Sequence, residues 1–165
     1  MKGGDSRLTK RMVSAGSVGS SAAGHLPSST AASRKAITSP SAARAEAALV
    51  CFGGAGATLR FGPAVPRWWN ERWLRPVGGG GGTPLASGVR EAAQVLERNA
   101  RRKPAQQRWL WILTDGRSGD RPARPRHADE VVFVDFEREA IRLGRCRALA
   151  DAWGAALLTP DELIV

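Results

Sequence analysis

Acidic residues are missing from the first part of this 165-residue chain: none stands between Asp5 and Glu46. Large apolar residues are scarce there too, while residues 1–45 hold ten serines, nine alanines and five glycines. Such a stretch can bury too little to offset the entropy of ordering it, so it reads as disordered or non-native sequence. No apolar run approaches the roughly eighteen residues of a bilayer span, which argues against a membrane helix. Cysteine is limited to Cys51 and Cys146, which form neither a disulfide framework nor a metal spacing. A reduced, cytoplasmic setting is the expectation. No Gly-x-x-x-x-Gly-Lys-Ser/Thr occurs, so any ATP hydrolysis must come from a partner. His25 and His127 fall in irregular segments without triad partners and read as solvated loop residues.

Charge is the first thing present in excess. The net charge of +10 resembles a nucleic-acid signature until it is located along the chain. Residues 1–45 carry seven Lys/Arg against one acid, and residues 46–165 carry eighteen against fourteen. More than half of the excess therefore sits in the first segment. That basic, Ser/Ala-rich, acid-poor beginning also matches organelle transit peptides, which makes plastid or mitochondrial import the alternative to the cytoplasm.

From Glu46 onward the pattern changes to that of a folded domain, expected over residues 46–165. Ala47 to Phe52 and Ala57 to Phe61 are apolar runs joined by Gly53-Gly54-Ala55-Gly56, which reads as two strands and a glycine turn. The same glycines are a weak match to a dinucleotide-binding loop, since a strand rather than a helix follows them. Pro66 to Leu74 reads as a short helix. In it, Trp68, Trp69 and Trp73 stand beside Arg67, Arg72 and Arg75, a composition suited to core packing or, alternatively, to stacking single-stranded bases. Five glycines then lead to Thr83, a good N-cap, and Pro84, which suits a first helical position. Leu85, Val89, Ala92 and Leu96 share one face of the helix that follows, and Arg98, Arg101, Arg102 and Lys103 crowd its end before Pro104 stops it. Trp109 to Leu113 and Val131 to Val134 are near-continuous apolar runs, as in strands buried on both faces of a parallel sheet. Leu143 to Trp153 supplies another helix and Ala155 to Leu158 a last strand. Strands alternating with helices predict α/β layers.

ALVCFGGAGATLRF, GGGGGTPLASGV, WLWILTDGR, VVFVDFE and the closing LGRCRALADAWGAALLTPDELIV resemble, in order and spacing, the von Willebrand factor A (VWA) module of the D subunit of magnesium and cobalt chelatases. The resemblance covers roughly residues 46–165. It implies a VWA or Rossmann-like three-layer fold, with a central, mostly parallel sheet and one antiparallel edge strand around Ala57 to Phe61. It also implies a metal site drawn from three loops: an Asp-x-Ser-x-Ser after the first strand, a threonine and an aspartate. Thr83 and Asp115 match the second and third. The first has no counterpart: Asp5-Ser6-Arg7-Leu8-Thr9 puts arginine where the first serine should stand. The first strand and first helix are accordingly expected to be missing or degenerate. Mg²⁺, a hard cation that gives up water reluctantly, is expected to bind such a reduced site in about the millimolar range or above. The implied function is that of a non-catalytic interaction subunit in tetrapyrrole or cobalamin biosynthesis. Its implied partners are an AAA+ ATPase and a large macrocycle-binding chelatase subunit.

Two other functions compete with that reading. Asp115, Asp135 and Glu137 could gather at one sheet edge and support metal-dependent phosphohydrolysis, or the basic first segment could drive nucleic-acid binding. The composition changes abruptly near Ser41 to Glu46. The expectation drawn from that edge is that residues 1 to roughly 43 are not the native start of the domain, through a misplaced start, a reading-frame error or a gene lesion.

Overall fold

A computed structural model describes residues 12–18, 45–54, 56–66 and 84–163. Among them, six strands form one sheet in the order β3-β2-β1-β4-β5-β6. The strands are β1 (Met12–Val18), β2 (Glu46–Gly53), β3 (Gly56–Ala64), β4 (Gln107–Thr114), β5 (Glu130–Asp135) and β6 (Ala156–Leu158). Helix α1 (Leu85–Arg102) precedes β4, and α2 (Arg145–Trp153) lies between β5 and β6. The order is that of doubly wound α/β sheets, compatible with the expected VWA or Rossmann-like class.

β4 pairs in parallel with β5, and β5 with β6, while β2 and β3 form an antiparallel hairpin closed at Gly53 and Gly56. The glycine run is thus a hairpin turn and not a nucleotide loop. β1 is antiparallel to both β2 and β4. It follows that β2 points the same way as β4, β5 and β6, and that β1 and the edge strand β3 run against them. A strand at Met12–Val18 was not expected from residues 1–45. Its sequence, MVSAGSV, carries little strand pattern, but the slot between β2 and β4 offers an unpaired ladder on each side, and an open strand edge recruits whatever chain can pair with it. The rest of residues 1–45, apart from Ala45, lies outside the described residues, as do residues 67–74 of the short helix expected at Pro66 to Leu74, its tryptophans, and Thr83.

One buried cluster joins the sheet to both helices. It contains Ala48, Val50 and Phe52 of β2, Leu110 and Ile112 of β4, and Val131 and Phe133 of β5. Leu85, Val89, Ala92 and Leu96 of α1 pack into it as the 3.6-residue spacing predicts, together with Val95, and α2 adds Ala150 and Trp153. Phe133 meets Trp153 with ring centroids 5.3 Å apart. Gly88 lets α1 approach β2 closely, since a Cβ there would stand 2.8 Å from the Phe52 ring. β5 is buried on both faces from Val131 to Val134, as its continuous apolar run suggested. β4 differs: Leu110, Ile112 and Thr114 are buried while Trp109, Trp111 and Leu113 are half-buried. Both described helices pack on the Leu110/Ile112 face, and on the other face Trp109 and Trp111 stack on each other at 6.4 Å.

Candidate functional site

The carboxyl ends of parallel strands are where α/β sheets place ligands, and here the ends of β4 and β5 stand level, with Thr114 opposite Asp135. Asp115 follows directly. It is buried, and its Oδ1 accepts the Arg117 N–H at 3.2 Å, the local turn typical of an aspartate after a strand. The Arg117 guanidinium also stands over it, with Nε 3.9 Å from Oδ2, and reaches on to Glu139. Gly116, at φ 67°, turns the chain between them. Substitution there meets two obstacles, because the left-handed backbone favours glycine and a Cβ would lie 3.1 Å from the Cys146 sulfur.

The loop continues to helix α1. Ser118 Oγ accepts the Asp120 N–H at 3.2 Å, and the Asp120 carboxylate accepts the Ala86 N–H at 2.9 Å. A carboxylate at a helix start satisfies a free N–H and favours the positive end of the helix dipole. The third-loop position Asp115 and the start of α1, which Thr83 precedes in sequence, are in this way tied together by Asp120. Thr83 itself lies outside the described residues, so its expected hydroxyl ligand has no described geometry.

Beneath the turn sits Cys146, buried in the first turn of α2 with its sulfur 3.9 Å from the Thr114 carbonyl. Burial, followed by the charge of and a hydrogen bond to Asp135 and the charges of Glu137 and Asp115, pushes its pKa far above the ordinary thiol value. This thiol stays protonated. It is a packing and hydrogen-bonding group, not a nucleophile.

Asp135 and Glu137 share this edge but do not make the three-carboxylate centre that a phosphohydrolase would need. Asp135 Oδ1 accepts the Glu137 N–H at 2.9 Å. Glu137 is buried, and its two oxygens accept the N–H groups of Leu143 at 2.5 Å and Gly144 at 3.3 Å. Its acceptor capacity is directed to the backbone before α2. Among the described residues, no three His, Cys, Asp or Glu side chains come together closely enough to hold a metal ion. The expectation of Asp115, Asp135 and Glu137 as a joint metal centre is corrected accordingly: sequence proximity to strand ends brought the carboxylates to one edge, and there each accepts a backbone N–H of its own following loop. Of the histidines, His127 lies in an exposed loop, as expected, and its carbonyl accepts from Arg108 Nε; His25 lies outside the described residues. Sequence reasoning did not find Ser118, Asp120 or the fastening role of Glu137. For Asp120 there was no local signal to find, because its partner Ala86 is 34 positions away.

No protein-family model matches this chain, and no solved structure matches it. The chain is 40% identical over 76 residues to the magnesium-chelatase 60 kDa subunit of Rhodobacter capsulatus, a stretch covering 46% of this chain and 13% of that protein. It is 31% identical over 131 residues to the uncharacterized protein Rv2850c of Mycobacterium tuberculosis, covering 73% of this chain and 21% of that protein. The chain thus spans about a fifth of the length of one relative and about an eighth of the other. Among the described residues no helix is long and apolar enough to cross a membrane.

Proposed function

We propose that this chain carries a VWA-type interaction module of a magnesium- or cobalt-chelatase-like assembly, non-catalytic by itself, which engages an AAA+ ATPase partner at the corner holding Asp115. The observation that carries this reading is the similarity to the magnesium-chelatase 60 kDa subunit. It is supported by the strand order and by Asp115 standing at the carboxyl end of β4, where such sheets take ligands.

Hard oxygen donors suit Mg²⁺. The described donor set nevertheless supplies one carboxylate, Asp115, already facing the Arg117 N–H and guanidinium. That does not fit a tight cage. Together with Thr83 it fits, at most, an ion held weakly with most of its waters. When bound, such an ion would offer a coordination position to a partner carboxylate. Without it, the chain's own residues still set the geometry: Gly116 turns the loop, Asp120 fastens it to α1, and Arg117 presents a cation beside Asp115.

The test is capture of a purified chelatase-type ATPase subunit by the full chain and by Asp115→Ala. Capture should weaken by about tenfold while the thermal transition is retained, on the scale of one lost charged contact. Undiminished capture would move the contact elsewhere. Turnover of a generic phosphate ester with Mg²⁺, abolished in Asp115→Ala, would replace the reading with an enzymatic one.

A further inference from the structure

Immediately after β5 the chain presents a loop whose physics is unlike that of an ordinary surface connection. Every residue from Arg138 to Arg145 is exposed, and the run includes two large apolar side chains, Ile141 at 84% exposure and Leu143 at 51%. Single exposed apolar residues need no explanation. A pair displayed on a loop fastened on both sides of Ile141 does. Glu137 grips both Leu143 and Gly144 at its closing end, Glu139 is tied to Arg117 across the β4 loop, and Arg145 Nη1 donates to the Arg117 carbonyl at 3.2 Å. A side chain displayed on a fastened loop loses little entropy when a partner covers it, which is the condition for tight binding from a small contact.

Charge surrounds the apolar tip. Arg138, Arg142, Arg145 and Arg147 are exposed in or beside the loop, and its one exposed acid, Glu139, is already paired with Arg117. We propose that the loop 137–144 is a docking element for an acidic protein segment, one that offers an apolar socket for Ile141 and Leu143 flanked by carboxylates for the arginines. Two other anionic partners fit less well. Nucleic acid would find no exposed aromatic ring in the loop on which a base could stack. A lipid surface would receive only two apolar side chains, far less than an interfacial helix inserts. This inference stands apart from the chelatase reading, because it rests on the loop alone.

The test uses the full chain and fluorescence anisotropy at about 0.15 M salt, where long-range attraction is screened beyond roughly 8 Å. The probe is a labelled peptide with two leucines between runs of aspartate and glutamate; its control has serines in place of the leucines. The first should bind and the second should be weaker by about tenfold or more, the scale of burying one large aliphatic side chain. Ile141→Ser and Ile141→Asp should each erase that difference. Because Ile141 is almost fully exposed, neither variant should shift the thermal transition. Arg142→Ser should weaken both peptides and flatten the salt dependence. Equal binding of the two peptides, indifference to Ile141→Asp, no binding of the leucine peptide, or stronger capture by phosphatidylserine vesicles than by the peptide would each overturn the proposal.

Discussion

Removing the Glu137 carboxylate is the sharpest test of how this edge of the sheet is built. The side chain is buried and accepts two backbone N–H groups, from Leu143 at 2.5 Å and from Gly144 at 3.3 Å. Hydrogen bonds to a charged acceptor are worth about 1.5–3 kcal/mol each. The longer contact belongs at the lower end of that range. Leu143 and Gly144 are themselves exposed, so their freed N–H groups would find water, and the sum must be discounted. Glu137→Ala is therefore expected to cost about 2–3 kcal/mol. Glu137→Gln keeps one acceptor but turns an NH₂ towards the Gly144 N–H, donor against donor, and should cost about 1–2 kcal/mol. Urea denaturation should show a lower midpoint with an unchanged slope, and amide exchange at Leu143 and Gly144 should accelerate more than exchange within β5. A loss under about 0.5 kcal/mol for Glu137→Ala, with exchange at Leu143 unaltered, would mean that the loop is held by something else.

Three further outcomes are expected. Asp120→Ala removes the carboxylate that accepts the Ala86 N–H and should cost about 1 kcal/mol, read by thermal melting; no change would show that water caps α1 equally well. Gly88→Ala should destabilise despite better helix propensity, because a Cβ meets the Phe52 ring at 2.8 Å and overpacking of about 1–3 kcal/mol exceeds a propensity gain of about 1 kcal/mol; a higher melting temperature would refute the close approach of α1 to β2. Cys146 has its folded pKa raised by burial and by neighbouring carboxylates, so its contribution to stability is complete below the unfolded thiol's value and is lost as pH rises above it. The urea midpoint should accordingly fall between about pH 8 and 10 and fall less in Cys146→Ala; identical pH profiles would remove the thiol from the account.

The elements that could be read from the sequence are those whose own residues decide them. α1 carries a complete helical stripe from Leu85 to Leu96, and the cluster it joins is the one that stripe requires. β5 is four consecutive buried apolar residues, Val131 to Val134. The hairpin of β2 and β3 is written in its glycines. β1 could not be read, because Met12–Val18 has no strong pattern and takes its place from the two ladders beside it. The half-buried face of Trp109 and Trp111 was equally invisible, since their apolar character says that they can be covered, not which layer covers them.

At the candidate site the division is different in kind. Residue type and position identified Asp115, because an aspartate directly after a buried strand has few places to go but the ligand-bearing edge. The same rule gathered Asp135 and Glu137 there and, taken alone, made them look like a joint centre. What separates them is which donors each one meets. Arg117 lies two residues after Asp115, so local turn chemistry could have foretold that contact. The grip of Glu137 on Leu143 and Gly144 spans six and seven positions and depends on the chain doubling back before α2. Carboxylates near a strand end are therefore a reliable guide to location and a poor guide to role: the backbone N–H groups brought up by the following loop decide whether an acid remains available to a partner or becomes part of the fold's own fastening. Asp115 closes a local turn with the Arg117 N–H beside the end of β4, whereas Glu137 reaches six and seven positions along the chain to Leu143 and Gly144 and so builds the loop that displays Ile141.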